Sequence, residues 1–304
     1  MLDWAKITHY NNCYTFDLRS NDKVVASALE ASHNTIKYIK ENYPSPYTLY
    51  LSGGIDSQAM LYAWITSGEK FNTFSCLYND TMNIDDIRPL KIFADIHNVK
   101  IDYYNLDLIA FLENEHDYYA YTYKCGSPHI TTYMKMLSLT NEGTCIMSGN
   151  FISEKHTGLD PNQIGLYHYG MISKQNVIPF FFLETKELAY SFTVAKYNKK
   201  PSNRKRCLDP ISELTRSYDL KTNTYHLNNF PVIPQKNKTT GFDKIKDYYD
   251  KCDIPISPID RLCRLTTQYS NRKFDLFFRN KYELIMSKYK YTILTSDKNI
   301  KYAQ

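Results

Sequence analysis

The stretch Leu49-Tyr50-Leu51-Ser52-Gly53-Gly54-Ile55-Asp56-Ser57 sets a β-prone run, a small-residue turn and a helix start in immediate succession. Each residue type contributes to holding an anion. Ser52 and Ser57 bring hydroxyl donors, while Gly53 and Gly54 let the backbone turn tightly and let an anion reach the amides without meeting a Cβ. A helix beginning near Ile55 aims its free N–H groups and the positive end of its dipole at the same point. Asp56, near that start, can accept backbone N–H bonds or help hold a magnesium ion. Together these residues form an oxyanion cradle. The more common nucleotide loops are excluded: no lysine stands at the helix start, as GxxxxGK followed by Ser or Thr requires, and the chain has no GxG for a dinucleotide turn. A GxSxG hydrolase elbow is absent here too.

Such a cradle needs a strand before it, a helix after it and a sheet to hold both. Asn21 to Asn42 carries apolar residues near helical spacing and stops before Pro44 and Pro46. Tyr47 to Leu51 is predicted as a strand and Asp56 to Trp64 as a helix closed by Gly68. The unit then repeats: strand over Phe71–Leu77, helix over Pro89–His97 begun by its proline, strand over Val99–Tyr104. A helix over Pro128–Leu139 and a strand over Thr144–Met147 follow. Alternation with short connections indicates an α/β fold with a doubly wound parallel sheet, covered on both faces. Beyond about residue 165 the alternation is harder to follow. Pro179 to Ala195 reads as a buried strand and helix, Lys196 to Arg206 as an exposed basic loop, and Asp243 onward as mainly helical.

The SGGIDS turn between strand and helix resembles the PP-loop of the N-type ATP pyrophosphatases, which include asparagine synthetase, NAD synthetase, GMP synthetase, argininosuccinate synthetase and tRNA-lysidine synthase. The resemblance implies a HUP-like (adenine nucleotide alpha hydrolase-like) fold and cleavage of ATP between its α and β phosphates, with magnesium bridging the phosphates. It implies ATP contacts at Ser52, Gly53, Gly54, Asp56 and Ser57. Phe74, Ser75 and Cys76 resemble the strand end that contacts adenine in asparagine synthetase domains. Ser127-Pro128, the helix after it and the run into Ser148-Gly149 also parallel that domain, and the likeness spans roughly residues 22 to 195.

Where asparagine synthetase has a Gly-rich second motif ending in Asp-Glu, this chain has Gly149-Asn150-Phe151-Ile152-Ser153-Glu154-Lys155, closer to the GN..E pattern of NAD synthetase. Asp56 and Glu154 are the candidate magnesium ligands, and Asp56 and Lys155 the candidate catalytic pair; an ordinary solvated pair is the alternative for Glu154 and Lys155. Leu2 stands where a glutaminase cysteine nucleophile would be, so nitrogen would come from free ammonia, an amine substrate or another subunit. Cys125 and Cys145 read as small core residues or lone nucleophiles, and His129 and His156 as structural residues or general bases. The expected division is a PP-loop core with an N-terminal helix over residues 1–165 and a C-terminal substrate or accessory region over 166–304, partly continuous with the core.

Composition narrows the rest. Over 304 residues, 43% hydrophobic and 23% charged residues describe a globular chain, and no apolar run is long enough for a membrane span. Thirty-seven basic against 32 acidic residues give +5, too mild to demand a nucleic-acid partner. The seven cysteines form no CxxC pair, so a sequence-local zinc or iron–sulfur site is not expected; their odd number, with no signal peptide at Met1-Leu2-Asp3-Trp4, leads to the expectation of a cytoplasmic protein with reduced thiols. The leading expectation is an enzyme that adenylates a carboxylate or carbonyl oxygen of a small-molecule acceptor, after which an amine or ammonia displaces AMP. The alternatives are an RNA or DNA acceptor, supported by Lys199, Lys200, Arg204, Lys205, Arg206 and the Lys/Tyr-rich tail, and an ATP-binding module without catalysis. A homo-oligomer is left open.

Overall fold

The computed structural model describes residues 7–10, 13–17, 27–123, 125, 127–140, 142–149, 156–159, 161–197, 221–234 and 241–251. Five parallel strands form the central sheet: β3 (Tyr47–Tyr50), β4 (Asn72–Tyr78), β5 (Tyr103–Leu106), β6 (Thr144–Met147) and β8 (Asn176–Ile178). A separate antiparallel sheet joins β1 (Ile7–Tyr10), β2 (Cys13–Asp17) and β7 (His156–Leu159).

The order across the large sheet is β5-β4-β3-β6-β8, every neighbouring pair parallel. The chain therefore steps outward from β3 to β5, returns to the far side of β3 as β6, and steps outward again. Between β3 and β6 the winding direction reverses. In open α/β sheets this is where ligands bind, in the crevice beyond the strands' carboxyl ends.

Side-chain alternation along the strands sorts the core into two halves. Leu49, Leu51 and Ile146 join a cluster with α1 (Ala28–Asn42), α2 (Ile55–Ser67), α3 (Ile84–Ile96) and α8 (Lys186–Tyr197). Tyr50, Cys76, Cys145 and Met147 point the other way, toward α4 (Leu108–Asn114), α5 (His116–Thr122), α6 (Pro128–Leu137) and α7 (Pro161–Ser173). Helices cover both faces, as a doubly wound sheet requires. Residues 221–227 are helical (α9) and pack Tyr225 into the first half, while α10 (Gly241–Lys251) lays Phe242 and Ile245 on the second.

Several boundaries differ from expectation. Helix α1 begins after Ser27, whose Oγ accepts from the Glu30 amide, and so is shorter than the run from Asn21. Helix α3 starts at Ile84, not at Pro89, which lies inside it. The start is fixed by buried Asn83, whose Oδ1 accepts from the Tyr78 amide and whose Nδ2 donates to the Cys76 carbonyl, pinning the helix to the end of β4. Pro89 simply removes one N–H donor from the helix. The third strand lies at Tyr103–Leu106, displaced from Val99–Tyr104, and α4 and α5 fill a stretch with no element assigned from sequence. The strand expected after Pro179 precedes it as β8, and a short 3-10 turn over Phe181–Leu183 leads into α8. Lys196 and Tyr197 still belong to α8, so the basic stretch does not begin as a loop; the rest of it lies outside the described residues.

Candidate functional site

The loop sits at the carboxyl end of β3, beside the winding reversal. Because Tyr50 pairs with Met147, the next residues of the two strands, Leu51 and Ser52 on one side and Ser148 and Gly149 on the other, leave the sheet together. Gly149 has φ +60 and packs against Phe180, and the Ser148 carbonyl accepts from the Phe182 amide at 3.4 Å. The two candidate segments thus share one rim. Glu154 and Lys155 lie outside the described residues.

Within the loop the hydroxyls bind one another: Ser52 Oγ and Ser57 Oγ are 2.8 Å apart, and the Ser52 amide donates to Ser57 Oγ at 3.1 Å. This closes a ring of backbone and side chain at the start of α2, where helix geometry leaves the amides of Ile55, Asp56 and Ser57 without intrahelical acceptors. The two glycines have different reasons. Gly53 has φ +92, and a Cβ there would lie 2.1 Å from the Asp86 carbonyl oxygen, so the loop backs directly onto the first turn of α3. Gly54 has φ −68, open to any residue, and its Cβ would meet nothing closer than Ser52 Oγ at 3.8 Å. Neither backbone nor packing demands glycine there. What its missing Cβ keeps open is the side lined by the serine hydroxyl, the cradle an anion would fill.

These differences give a paired expectation. Gly53→Ala adds backbone strain and a backbone clash, and should lower stability by at least about 2 kcal/mol in urea titration. Gly54→Ala should leave stability within about 1 kcal/mol while weakening pyrophosphate binding. Equal stability losses would contradict the distinction.

Sequence reasoning missed two residues. Lys221 Nζ donates to Asp56 Oδ2 at 2.5 Å, and the Tyr225 hydroxyl donates to Asp56 Oδ1 at 2.5 Å. They stand four apart on α9, one turn of one helix face. Tyr225 is fully buried among Phe182, Phe192 and Phe230, with ring centroids 5.7 to 5.8 Å away. Burial, and then the adjacent Asp56 charge, push its hydroxyl well above the ordinary tyrosine range, so it remains a donor. Lys221 and Asp56 keep 24% and 17% of their side-chain surface, enough for a ligand to reach them. A lysine from another part of the chain thus stands beside the helix start, paired with Asp56.

Gln58 ties that part down. Fully buried, it donates through Nε2 to the Gly53 and Ile233 carbonyls at 3.3 and 3.2 Å, and its Oε1 accepts from the Ile233 amide at 2.7 Å. Farther along, the Gly241 amide donates to Asp86 Oδ2 and Lys244 pairs with Asp85, so α10 closes over the first turn of α3. His129 Nε2 lies 2.9 Å from the Tyr133 hydroxyl, and the His129 ring packs on Phe242; His156 falls on β7, in the small sheet.

Phe74, Ser75 and Cys76 stand one strand away from the loop. The Phe74 carbonyl accepts from the Leu51 amide, Ser75 Oγ donates to the Leu51 carbonyl at 2.7 Å, and the Cys76 carbonyl accepts from Asn83. These polar groups join the strands and the α3 start. Cys125 and Cys145 are buried in the core, and burial pushes the Cys76 and Cys145 thiols up to about 12. At pH 8 that leaves about one thiolate in 10⁴, so native Cys76 and Cys145 should resist iodoacetamide and react only after denaturation, as read by peptide mass. Rapid native labelling of either would contradict their burial. Among the described residues no cluster of three His, Cys, Asp or Glu side chains could hold a metal, and no helix is long and apolar enough to cross a membrane.

No protein-family model matches the chain, and no curated protein matches it. Among solved structures it is similar to an NMN synthetase from Francisella tularensis, at 13% identity and TM-score 0.34, over 68% of this chain and 98% of that one. It is also similar to the U34-tRNA thiolase NcsA from Methanococcus maripaludis with its [4Fe-4S] cluster, at 14% identity and TM-score 0.31, over 75% and 82%. Likenesses this distant say nothing of the chain's chemistry, and the fold stands on its own strand order.

Proposed function

We propose that the chain is a PP-loop adenylating enzyme that cleaves ATP between the α and β phosphates. In this reading a carboxylate or carbonyl oxygen of a small-molecule acceptor attacks the α phosphorus, pyrophosphate leaves, and an amine or ammonia then forms the carbon–nitrogen bond as AMP departs. One observation carries the reading: the Ser52–Ser57 turn, with Gly54 open toward its hydroxyls, stands at the carboxyl end of β3 where the sheet reverses. Free amides, two hydroxyls and the Lys221 ammonium converge there, which suits a leaving pyrophosphate better than a neutral ligand.

A magnesium ion fits this donor set in the usual manner, through one or two carboxylates plus phosphate oxygens. Asp56 would hold it, with Glu154 as the second candidate, and it would neutralise charge on the departing phosphates. Ser52 and Ser57 orient the pyrophosphate, and Lys221 balances its charge; Lys155 remains a candidate for the same task.

The test is exchange of labelled pyrophosphate into ATP, with amino-acid pools, other carboxylate pools or bulk RNA added separately. Exchange that depends on a small carboxylate supports the reading. Exchange driven only by RNA would replace the acceptor class, and no exchange with any pool would contradict adenylation.

A further inference from the structure

Both carboxylate oxygens of Asp56 are engaged by one helix. Tyr225 holds Oδ1 and Lys221 holds Oδ2, each at 2.5 Å, from positions one turn apart on α9. The two contacts differ in kind. The tyrosine is walled in by Phe182, Phe192 and Phe230 and is fully buried, so its hydroxyl is fixed. The lysine carries a flexible stem and a charge at the accessible mouth of the loop, so its ammonium can move to another anion. A cation approaching Asp56 meets an ammonium already on Oδ2.

We infer that Tyr225 and Lys221 are positioning residues acting oppositely on Asp56: Tyr225 fixes the carboxylate permanently, and Lys221 blocks its second oxygen until a polyphosphate draws the ammonium away. Divalent metal therefore enters with the nucleotide and not before it. The inference rests on the loop being a pyrophosphate site. Its physical basis is competition: like charges at one carboxylate oxygen exclude each other, whereas phosphate oxygens offer the ammonium stronger partners at the helix N-terminus.

Mn2+ binding to the full chain, read from the free-ion paramagnetic resonance signal with and without inorganic pyrophosphate, tests this. Wild-type protein should retain Mn2+ only with pyrophosphate. Lys221→Met, with Lys221→Gln as a second neutral variant, should bind Mn2+ alone at least about tenfold more tightly than wild type. Adding Tyr225→Phe, which keeps the ring and its aromatic neighbours but loses the hydrogen bond to Asp56, should remove most of that gain in a protein that stays folded at the assay temperature, as its melting curve shows. A merely structural role for Tyr225 would lower the melting temperature without reversing the gain in metal affinity. The inference is overturned if wild type binds Mn2+ alone as tightly as the lysine variants, or if the double variant keeps the gain. If no protein retains Mn2+ even with pyrophosphate, the pyrophosphate-site reading falls as well; retention by wild type without a gain in the lysine variants overturns the inference alone.

Discussion

Asp56→Asn is expected to abolish AMP formation, by at least about a hundredfold, while the protein remains folded. Asparagine keeps the volume and one carbonyl acceptor, so Tyr225 retains a partner for its hydroxyl, but the charge facing Lys221 is gone. A hydrogen bond to a charged group contributes roughly 1.5–3 kcal/mol. The partial exposure of this pair reduces the stability loss to about 1–2 kcal/mol, a small shift in the denaturant midpoint. The measurement is AMP release under single-turnover conditions beside a urea titration of the same sample. Wild-type turnover in a folded Asp56→Asn protein would remove Asp56 from the site.

Lys221→Met is expected to weaken ATP and pyrophosphate binding by about 10- to 100-fold, the equivalent of one charge-assisted contact to phosphate. It leaves Asp56 half-buried without its ammonium, yet methionine retains the length and packing of the stem. Calorimetric titration with pyrophosphate beside a urea titration separates the effects: lost affinity in a protein that loses no more than about 1–2 kcal/mol, the cost of the broken pair, marks a ligand contact. Unchanged affinity with lowered stability would mark Lys221 as only a structural partner of Asp56. Conservative Ser52→Ala and Ser57→Ala changes should cost less, since each removes one neutral hydroxyl.

The features legible in the sequence are those encoded locally. The strand Tyr47–Tyr50, the small-residue turn and α2 with its Gly68 cap follow from adjacent residues, and Thr144–Met147 was bounded by turn signals on both sides. The start of α3 was not legible, because Pro89 carries the stronger local signal while the actual start is set by Asn83 reaching back to β4. Helices α4 and α5 are seven residues each and lack a long apolar period. Lys221 and Tyr225 were invisible for a different reason. Their contacts with Asp56 span 165 and 169 residues, and the i,i+4 spacing of a lysine and a tyrosine carries no signal in a chain with 28 tyrosines. Only the path of the chain back to the loop, pinned by Gln58 to Ile233, brings them there.

Which bond of ATP breaks decides whether the Ser52–Ser57 loop is a pyrophosphate site. A loop that grips pyrophosphate directs attack to the α phosphorus, whereas a loop that presents the γ phosphate for transfer yields ADP. Chromatography of the nucleotide product, with acceptor pools present, is expected to give AMP and pyrophosphate in equal amounts, both lost in Asp56→Asn. ADP and phosphate as the main products, unaffected by that substitution, would contradict it.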